Sequence, residues 1–196
     1  LGHIGDDDIF YNCNKGADFS YITGLTKFGI EKIPPLVGRG VLVNMAKYFD
    51  IISMEGGQGI TRKNIQEAAK EQNINFKKGD IILFHTGWTD AKLKSSPEEW
   101  GSTIPGITND AAIYLASLQP MAVGADTWGL GAVPPIAGDK VYYDHVTLIK
   151  ENGIYILETM NTGKLASDNV SEFMFVLGQP KIKGAVQMII NPVALW

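Results

Sequence analysis

Runs of consecutive apolar residues constrain the fold of this chain more than any other feature of its sequence. We predict strands at six of them, residues 39–45, 79–85, 120–126, 153–158, 172–177 and 185–195. Most of these runs lack a strict alternation of apolar and polar residues, which is typical of strands covered on both faces. The sequence therefore predicts a sheet that is buried on both sides.

Helix candidates lie between these strands. The first begins after Thr61 as its N-cap and the second begins near Thr108, and both have apolar residues at helical spacing. The second ends before Pro120, and a third, short helix is predicted at residues 162–166. Because each of the first two helices is followed by a strand, we predict an α/β fold.

The size and charge of the chain argue against several classes of function. The 196 residues are predicted to form one domain. A net charge of −4 and a pI near 5.4 argue against binding to nucleic acid or to an anionic membrane surface. No apolar run approaches the roughly 18 residues of a membrane span. The single cysteine, Cys13, excludes an intramolecular disulfide bond, and we expect a soluble, cytoplasmic protein.

Glu158 directly follows the apolar residues of the fourth predicted strand and requires a partner. An unpaired buried charge costs several kcal/mol, and no Lys or Arg occurs between Glu158 and Lys164. His145, near the end of a predicted loop, lies thirteen positions upstream. Imidazole and carboxylate groups commonly bind zinc or manganese, so a divalent cation is one candidate partner. Hydrogen bonds from backbone amides, or an ion pair with an arginine, are the alternative.

The other candidate residues carry weaker signals. His85 lies in a predicted buried strand, where we expect a hydrogen-bonded core histidine. His3 precedes three aspartates in "GHIGDDD", a pattern more typical of a solvated turn than of a calcium loop. A hydrolase that used the thiol of Cys13 would need a base, and none lies nearby in sequence. The chain has no G-x-S-x-G, P-loop or G-x-G-x-x-G motif, which argues against serine hydrolases and Rossmann dehydrogenases.

Seven segments of the chain together resemble one known family. They are, in chain order, "LGHIG", "FYN", "PPLVGRGVLVNM", "KGDIILFHTGW", "VGADTWGL", "DHVTLIKENGIYILETMN" and "KIKGAVQMIINPVAL". As a series that extends over nearly the whole chain, they resemble the "putative cyclase" family of metal-dependent hydrolases, which includes bacterial kynurenine formamidases and isatin hydrolases. The resemblance implies a swivelling β/β/α domain with a mixed sheet and flanking helices.

The resemblance also implies roles for the candidate residues. The family carries the motif His-x-x-x-His-x-Asp-x-x-x-His, and "LGH" at the start of this chain resembles its last three residues. By this resemblance His3 is the catalytic proton-transfer residue, and His145 and Glu158 are ligands of a zinc or manganese ion. The other ligands of the motif would precede Leu1. We therefore expect residues 1–196 to be a single cyclase-like domain whose N-terminal part is missing.

The chemistry implied by this resemblance is metal-dependent hydrolysis of a cyclic amide, a lactone or an N-formyl amide by metal-activated water. Trp128, Phe10 and Tyr11 are predicted to wall a pocket for a flat cyclic or aryl substrate, with ordinary core packing as the alternative. Two residues depart from the pattern of relatives, Asn44 where Asp is usual and Gly131 where Glu is frequent.

The assembly of the protein is predicted from its C-terminal segment and from the family. The apolar segment "INPVALW" is long for an exposed end and, with the family resemblance, indicates a homo-oligomer, a dimer or a tetramer. A second hypothesis is a non-catalytic or truncated relative that keeps the fold and binds a small molecule or a partner protein. Metal content and chelator-sensitive hydrolysis distinguish these two hypotheses.

Overall fold

A mixed sheet of six strands forms the centre of the computed structural model, which describes all of residues 1–196. The strands of the structure, in chain order, are β1 (Ile9–Phe10), β2 (Asn14–Lys15), β3 (Ser20–Tyr21), β4 (Gly24–Leu25), β5 (Leu36–Asn44), β6 (Gly59–Ile60), β7 (Ile81–His85), β8 (Gly106–Ile107), β9 (Ala122–Ala125), β10 (Tyr155–Leu157), β11 (Glu172–Leu177) and β12 (Val193–Leu195). The central sheet has the order β10-β9-β7-β5-β11-β12. Its first four strands are parallel, whereas β11 is antiparallel to both β5 and β12.

The helices are short and mostly connect the strands of this sheet. They are α1 (Met45–Tyr48), α2 (Arg62–Glu71), α3 (Trp88–Lys92), α4 (Pro97–Ser102), α5 (Asn109–Ser117), α6 (Tyr143–His145) and α7 (Gly163–Ser167), with a π-helical segment at Val146–Glu151 and 3-10 turns at Tyr11–Cys13, Gly16–Asp18 and Ile30–Lys32. The predicted N-cap of α2 is confirmed, because the Thr61 side chain accepts from the backbone of Asn64 and the Asn64 side chain accepts from the backbone of Thr61. None of these helices has the length and apolar character needed to span a bilayer.

Apolar side chains cover both faces of the parallel strands, as the uninterrupted apolar runs predict. Along β7, Ile82 and Phe84 join one core cluster, which also contains the apolar sides of α2 and α5. Ile81 and Leu83 point to the other face and join a second cluster, where α7 and the C-terminal segment pack. The predicted α/β class, with a mixed sheet and flanking helices, is confirmed.

Two local predictions differ from the structure. The predicted strand at residues 185–195 is limited to β12, and the preceding residues of this run are irregular. The segment around His145, predicted as a loop, is helical over α6 and Val146–Glu151. Burial of Leu148 and Ile149 stabilises this helical segment, although its β-branched residues have modest helix propensity.

Gly40 offers a test of how closely β5 and β11 pack. A Cβ atom at Gly40 would overlap the ring of Phe173, which is buried on the neighbouring strand. We expect Gly40→Ala to lower the free energy of unfolding by about 1–3 kcal/mol, because a closely packed core does not absorb an added methyl group. Gly101→Ala is the control, since no atom lies within 4 Å of its added Cβ. Urea unfolding of both variants checks the prediction, and equal stabilities would contradict it.

Candidate functional site

The candidate site lies where the parallel strands end. β5 ends at Asn44 and β7 at His85, whereas Asp126 follows β9 and Glu158 follows β10. Because these strands are parallel and in register, the four polar residues follow one another along the same edge of the sheet. This carboxyl edge is the usual location of ligand sites in α/β sheets.

His145 is the partner that Glu158 requires. Its Nε2 lies 3.2 Å from Oε1 of Glu158, and its Nδ1 lies 3.0 Å from Oδ2 of Asp144. Asp144 and His145 are buried within α6, whereas about a third of the Glu158 side chain remains exposed. The imidazole is therefore held between two carboxylates, and the Glu158 carboxylate forms the open side of the arrangement.

The two carboxylates determine the charge of His145. Burial alone lowers the pKa of His145, but hydrogen bonds to Asp144 and Glu158, with their negative charges, outweigh it and raise the pKa to about 9. Without a metal ion, the imidazole is protonated at neutral pH, and both ring nitrogens donate to carboxylates. This charge compensates Glu158, and metal coordination by Nε2 would require the loss of its proton.

His3 lies beside this pair with a different electrostatic environment. Its ring centroid is 5.8 Å from that of His145, and its side chain is exposed. Partial burial lowers the pKa of His3, and the positive charge of His145 lowers it further, while Glu158 acts in the opposite direction. His3 is therefore neutral at pH 7 and able to accept a proton. The structure thus brings together His3, His145 and Glu158, although they lie far apart in the sequence.

A cavity of about 760 Å³ opens beside these three residues. It extends over the second face of the sheet, and most of its walls are apolar side chains, among them Leu83, Leu157, Met160, Phe173 and Phe175. The cavity therefore offers one polar end, formed by the histidines and Glu158, and a long apolar surface.

The three aromatic residues predicted to bind substrate do not line this cavity. The rings of Phe10 and Tyr11 contact Phe19 and Phe28 edge-on. Trp128 donates from its indole nitrogen to the backbone carbonyl of Trp100 at 2.6 Å. None of the three residues belongs to either core cluster, and a role of Trp128, Phe10 and Tyr11 in substrate binding stays a prediction without support from the cavity.

Asp144 is the residue of the site that sequence reasoning missed. It directly precedes His145, and adjacent residues in a helix do not normally face each other, so no sequence pattern indicates that they pair. The structure also explains the glycine at position 131. A Cβ atom at Gly131 would lie 2.9 Å from Oδ1 of Asp144, so the carboxylate occupies the space that a side chain would need.

The donor set fits part of a metal site. A metal-binding histidine is usually oriented by a carboxylate that accepts a hydrogen bond from its other ring nitrogen, as Asp144 accepts from Nδ1 of His145. Glu158 adds an oxygen donor beside Nε2. No group of three His, Cys, Asp or Glu side chains in residues 1–196 is arranged to hold a metal ion. Two donors are fewer than the three protein ligands of a typical catalytic zinc site.

Comparison with known proteins gave one family and several structural relatives. The family described as "Putative cyclase" matches residues 13–132, more than half of the chain. The crystal structure of a novel cyclase is 28% identical, with a TM-score of 0.88 over 100% of this chain and 65% of that chain. This chain therefore spans slightly less than two thirds of that relative. The search of curated proteins gave no match.

Two further solved structures share the fold. Isatin hydrolase A from Ralstonia solanacearum is 19% identical, with a TM-score of 0.70 over 89% of this chain and 67% of that chain. A predicted metal-dependent hydrolase from Bacillus stearothermophilus is 21% identical, with a TM-score of 0.58 over 81% of this chain and 63% of that chain. At these identities the similarity shows a common fold.

The pairing of Asp144 with His145 predicts a pH-dependent contribution to stability in the metal-free protein. The folded-state pKa of His145, about 9, exceeds its ordinary value of 6.5, so the stabilisation is complete below pH 6.5 and is lost as pH rises through 9. We expect Asp144→Asn to lower the pKa of His145 and to destabilise the protein by about 1–2 kcal/mol in acid, with a smaller effect above about pH 9.

Two measurements check this prediction. An NMR titration of the histidine ring protons gives the pKa of His145, and urea unfolding near pH 6 and near pH 10 gives the stability difference. Glu151→Gln, which removes an exposed carboxylate from the π-helical segment, is the matched control. An unchanged pKa of His145 in Asp144→Asn would show that Asp144 does not stabilise the imidazolium.

Proposed function

Because this chain belongs to the "Putative cyclase" family, we propose that it is a metal-dependent hydrolase that cleaves a cyclic amide, a lactone or an N-formyl amide. The observation that carries the proposal is the position of His145, held between Asp144 and Glu158 beside His3 at the polar end of the large cavity. Its structural relatives include an isatin hydrolase and a metal-dependent hydrolase, which supports this class of chemistry.

We assign His145 and Glu158 as the residues that would hold a divalent cation, zinc or manganese. The imidazole nitrogen and the carboxylate oxygen suit these ions. The hydrogen bond to Asp144 would keep the ring proton of His145 on Nδ1 and leave Nε2 free to bind the metal ion. A divalent cation supplies Lewis-acid polarisation of a carbonyl oxygen and a water of lowered pKa. The assignment requires further donors in addition to these two.

The residues of this chain have separate tasks in the proposed reaction. Asp144 fixes the tautomer and the orientation of the His145 ring through its hydrogen bond to Nδ1. His3, neutral at pH 7, accepts a proton from the attacking water and donates it to the leaving nitrogen or oxygen. The apolar walls of the cavity exclude water from the non-reacting part of the substrate and favour an apolar or aryl group there.

A homo-oligomer, dimer or tetramer, and a cytoplasmic location remain predictions. The oligomer has some support from the end of the chain, where the side chains of Leu195 and Trp196 are exposed at and beside the edge strand β12. Exposed apolar side chains at an unpaired sheet edge favour association.

The second candidate function is a non-catalytic family member that binds a small molecule. The specific observation in its favour is the donor set, because residues 1–196 contain no group of three metal-ligating side chains. A protein with this cavity and without a cation could still bind an apolar ligand.

Metal content and hydrolysis test the proposed function. We expect the purified protein to bind zinc or manganese, and a chelator to abolish hydrolysis of isatin, an aryl lactone or an N-formyl aryl amine. His145→Ala and Glu158→Gln should each weaken metal affinity by at least about 10–100-fold, because each removes a donor. Mass spectrometry of the bound metal and a spectrophotometric assay provide the two measurements.

Glu151→Gln is the control, since its exposed carboxylate lies on the π-helical segment and contacts neither His145 nor Glu158. Wild-type metal affinity in His145→Ala would refute the assigned metal site. A metal-free protein without chelator-sensitive hydrolysis of any of the three substrates would favour the non-catalytic alternative.

A further inference from the structure

A second cleft, of about 440 Å³, opens at the carboxyl ends of β5 and β7. Asn44 and His85, the last residues of these two strands, lie in its wall. It shares no lining residue with the cavity beside His145, so it is a separate space at the same edge of the sheet. The function proposed above makes no use of it.

His85 presents an unpaired ring nitrogen to this cleft. The residue is 8% exposed, and its Nδ1 lies 2.8 Å from the hydroxyl oxygen of Thr162. No protein group bonds Nε2, and Nε2 is not among the fully buried unpaired atoms of the chain, so it reaches the cleft. A nearly buried imidazole with one free nitrogen is an incomplete hydrogen-bonding arrangement that a ligand would complete.

The hydrogen bond to Thr162 favours one tautomer of His85, whose Nδ1 also lies 3.7 Å from Oδ2 of Asp126. Thr162 is 1% exposed and its side chain makes no cap bond to α7, so Nδ1 of His85 is the available acceptor for its hydroxyl hydrogen. An imidazole that accepts at Nδ1 carries its proton on Nε2. His85 therefore offers an N–H donor to the cleft, suited to a carboxylate or carbonyl oxygen.

Asp90 supplies an acceptor in the wall of the same cleft. Its carboxylate has no hydrogen bond or ion pair within the protein and lies against the Cα atom of Gly163, where a side chain on that glycine would overlap it. Gly163 follows Thr162 directly, so the carboxylate lies close to the residue that holds His85. An unpaired carboxylate in a cleft is suited to an ammonium group.

The other residues that line the cleft include one charged and two apolar side chains. Lys47 also lines the cleft, and its ammonium group donates to Asn169. Ile51 and Ile52 contribute apolar surface, and Ile52 is 92% exposed. These two side chains are the apolar surface that the cleft offers to a ligand.

We propose that this cleft binds a zwitterionic amino acid with an apolar side chain. The carboxylate of the ligand accepts from Nε2 of His85 and is attracted by Lys47, its ammonium group pairs with Asp90, and its side chain packs on Ile51 and Ile52. The volume of about 440 Å³ exceeds that of a single amino acid, so water molecules would fill the remainder.

Calorimetric titration of the purified protein with L-leucine tests this proposal. We expect saturable binding with one site per chain. We also expect much weaker binding of 4-methylpentanoate, which lacks the ammonium group, and of 3-methylbutylamine, which lacks the carboxylate. Asp90→Asn should weaken L-leucine binding by about tenfold or more, because an amide does not pair with an ammonium group as a carboxylate does.

The controls distinguish this cleft from the first cavity. Glu98→Gln removes another exposed and unpaired carboxylate, outside the cleft, and should leave the affinity unchanged. In ¹⁵N-histidine spectra, L-leucine should shift the Nε2 resonance of His85. The absence of saturable binding up to about 10 mM L-leucine would overturn the proposal. If the wild type and Asp90→Asn bound L-leucine with equal affinity and Glu158→Gln bound it more weakly, the ligand would lie in the first cavity. This result would also overturn the proposal.

Discussion

Burial of β7 and β9 on both faces places the polar side chains at the centre of this sheet at the ends of its strands. Along β7, every residue before His85 belongs to one of the two core clusters, so no position within the strand can carry a polar group into a cavity. The side chains of β9 are also core residues, whereas β10 has one polar side chain, that of Tyr155; the carboxylates of Asp126 and Glu158 follow these two strands. One edge of the sheet therefore gathers carboxylates, an imidazole and an amide that are distant in the sequence.

Electrostatic compensation at this edge depends on α6. Glu158 alone would be a poorly compensated carboxylate, and His145 alone would lose its proton through burial. Asp144 on the same short helix makes the imidazolium stable, and the three groups form a chain of two hydrogen bonds between helix and strand. Such an arrangement is stable without a cation and can also orient Nε2 as a metal ligand, so its geometry is compatible with both candidate functions.

The fold was largely predictable because its signals are local. Uninterrupted apolar runs located the six strands of the central sheet, although the last run contains only the short β12, and Thr61 marked the start of α2. The need of Glu158 for a partner is equally visible in the sequence, since an apolar run that ends in a carboxylate requires compensation. The identity of that partner required either the resemblance to a family or the three-dimensional structure.

The rest of the site was less predictable, because side-chain direction is not encoded locally. Asp144 was missed because nothing in the sequence shows that it turns toward its own neighbour. Trp128 and Phe10 were predicted from their residue types to wall a pocket. In the structure the ring of Phe10 contacts that of Phe19, and the indole nitrogen of Trp128 donates to the backbone carbonyl of Trp100. Aromatic residues fill cores as readily as pockets, and only the tertiary packing distinguishes these two uses.

The close approach of Gly131 to the Asp144 carboxylate couples the backbone at this glycine to the geometry of the His145 ring. The glycine borders the Asp144 carboxylate so closely that even a methyl group at position 131 would push the carboxylate toward the imidazole or away from it. Either displacement would rotate His145 and alter the direction of its Nε2–H bond toward Glu158. Gly131 does not line the cavity beside His145, so a side chain at this position would act on that cavity only indirectly, through the orientation and the basicity of the imidazole.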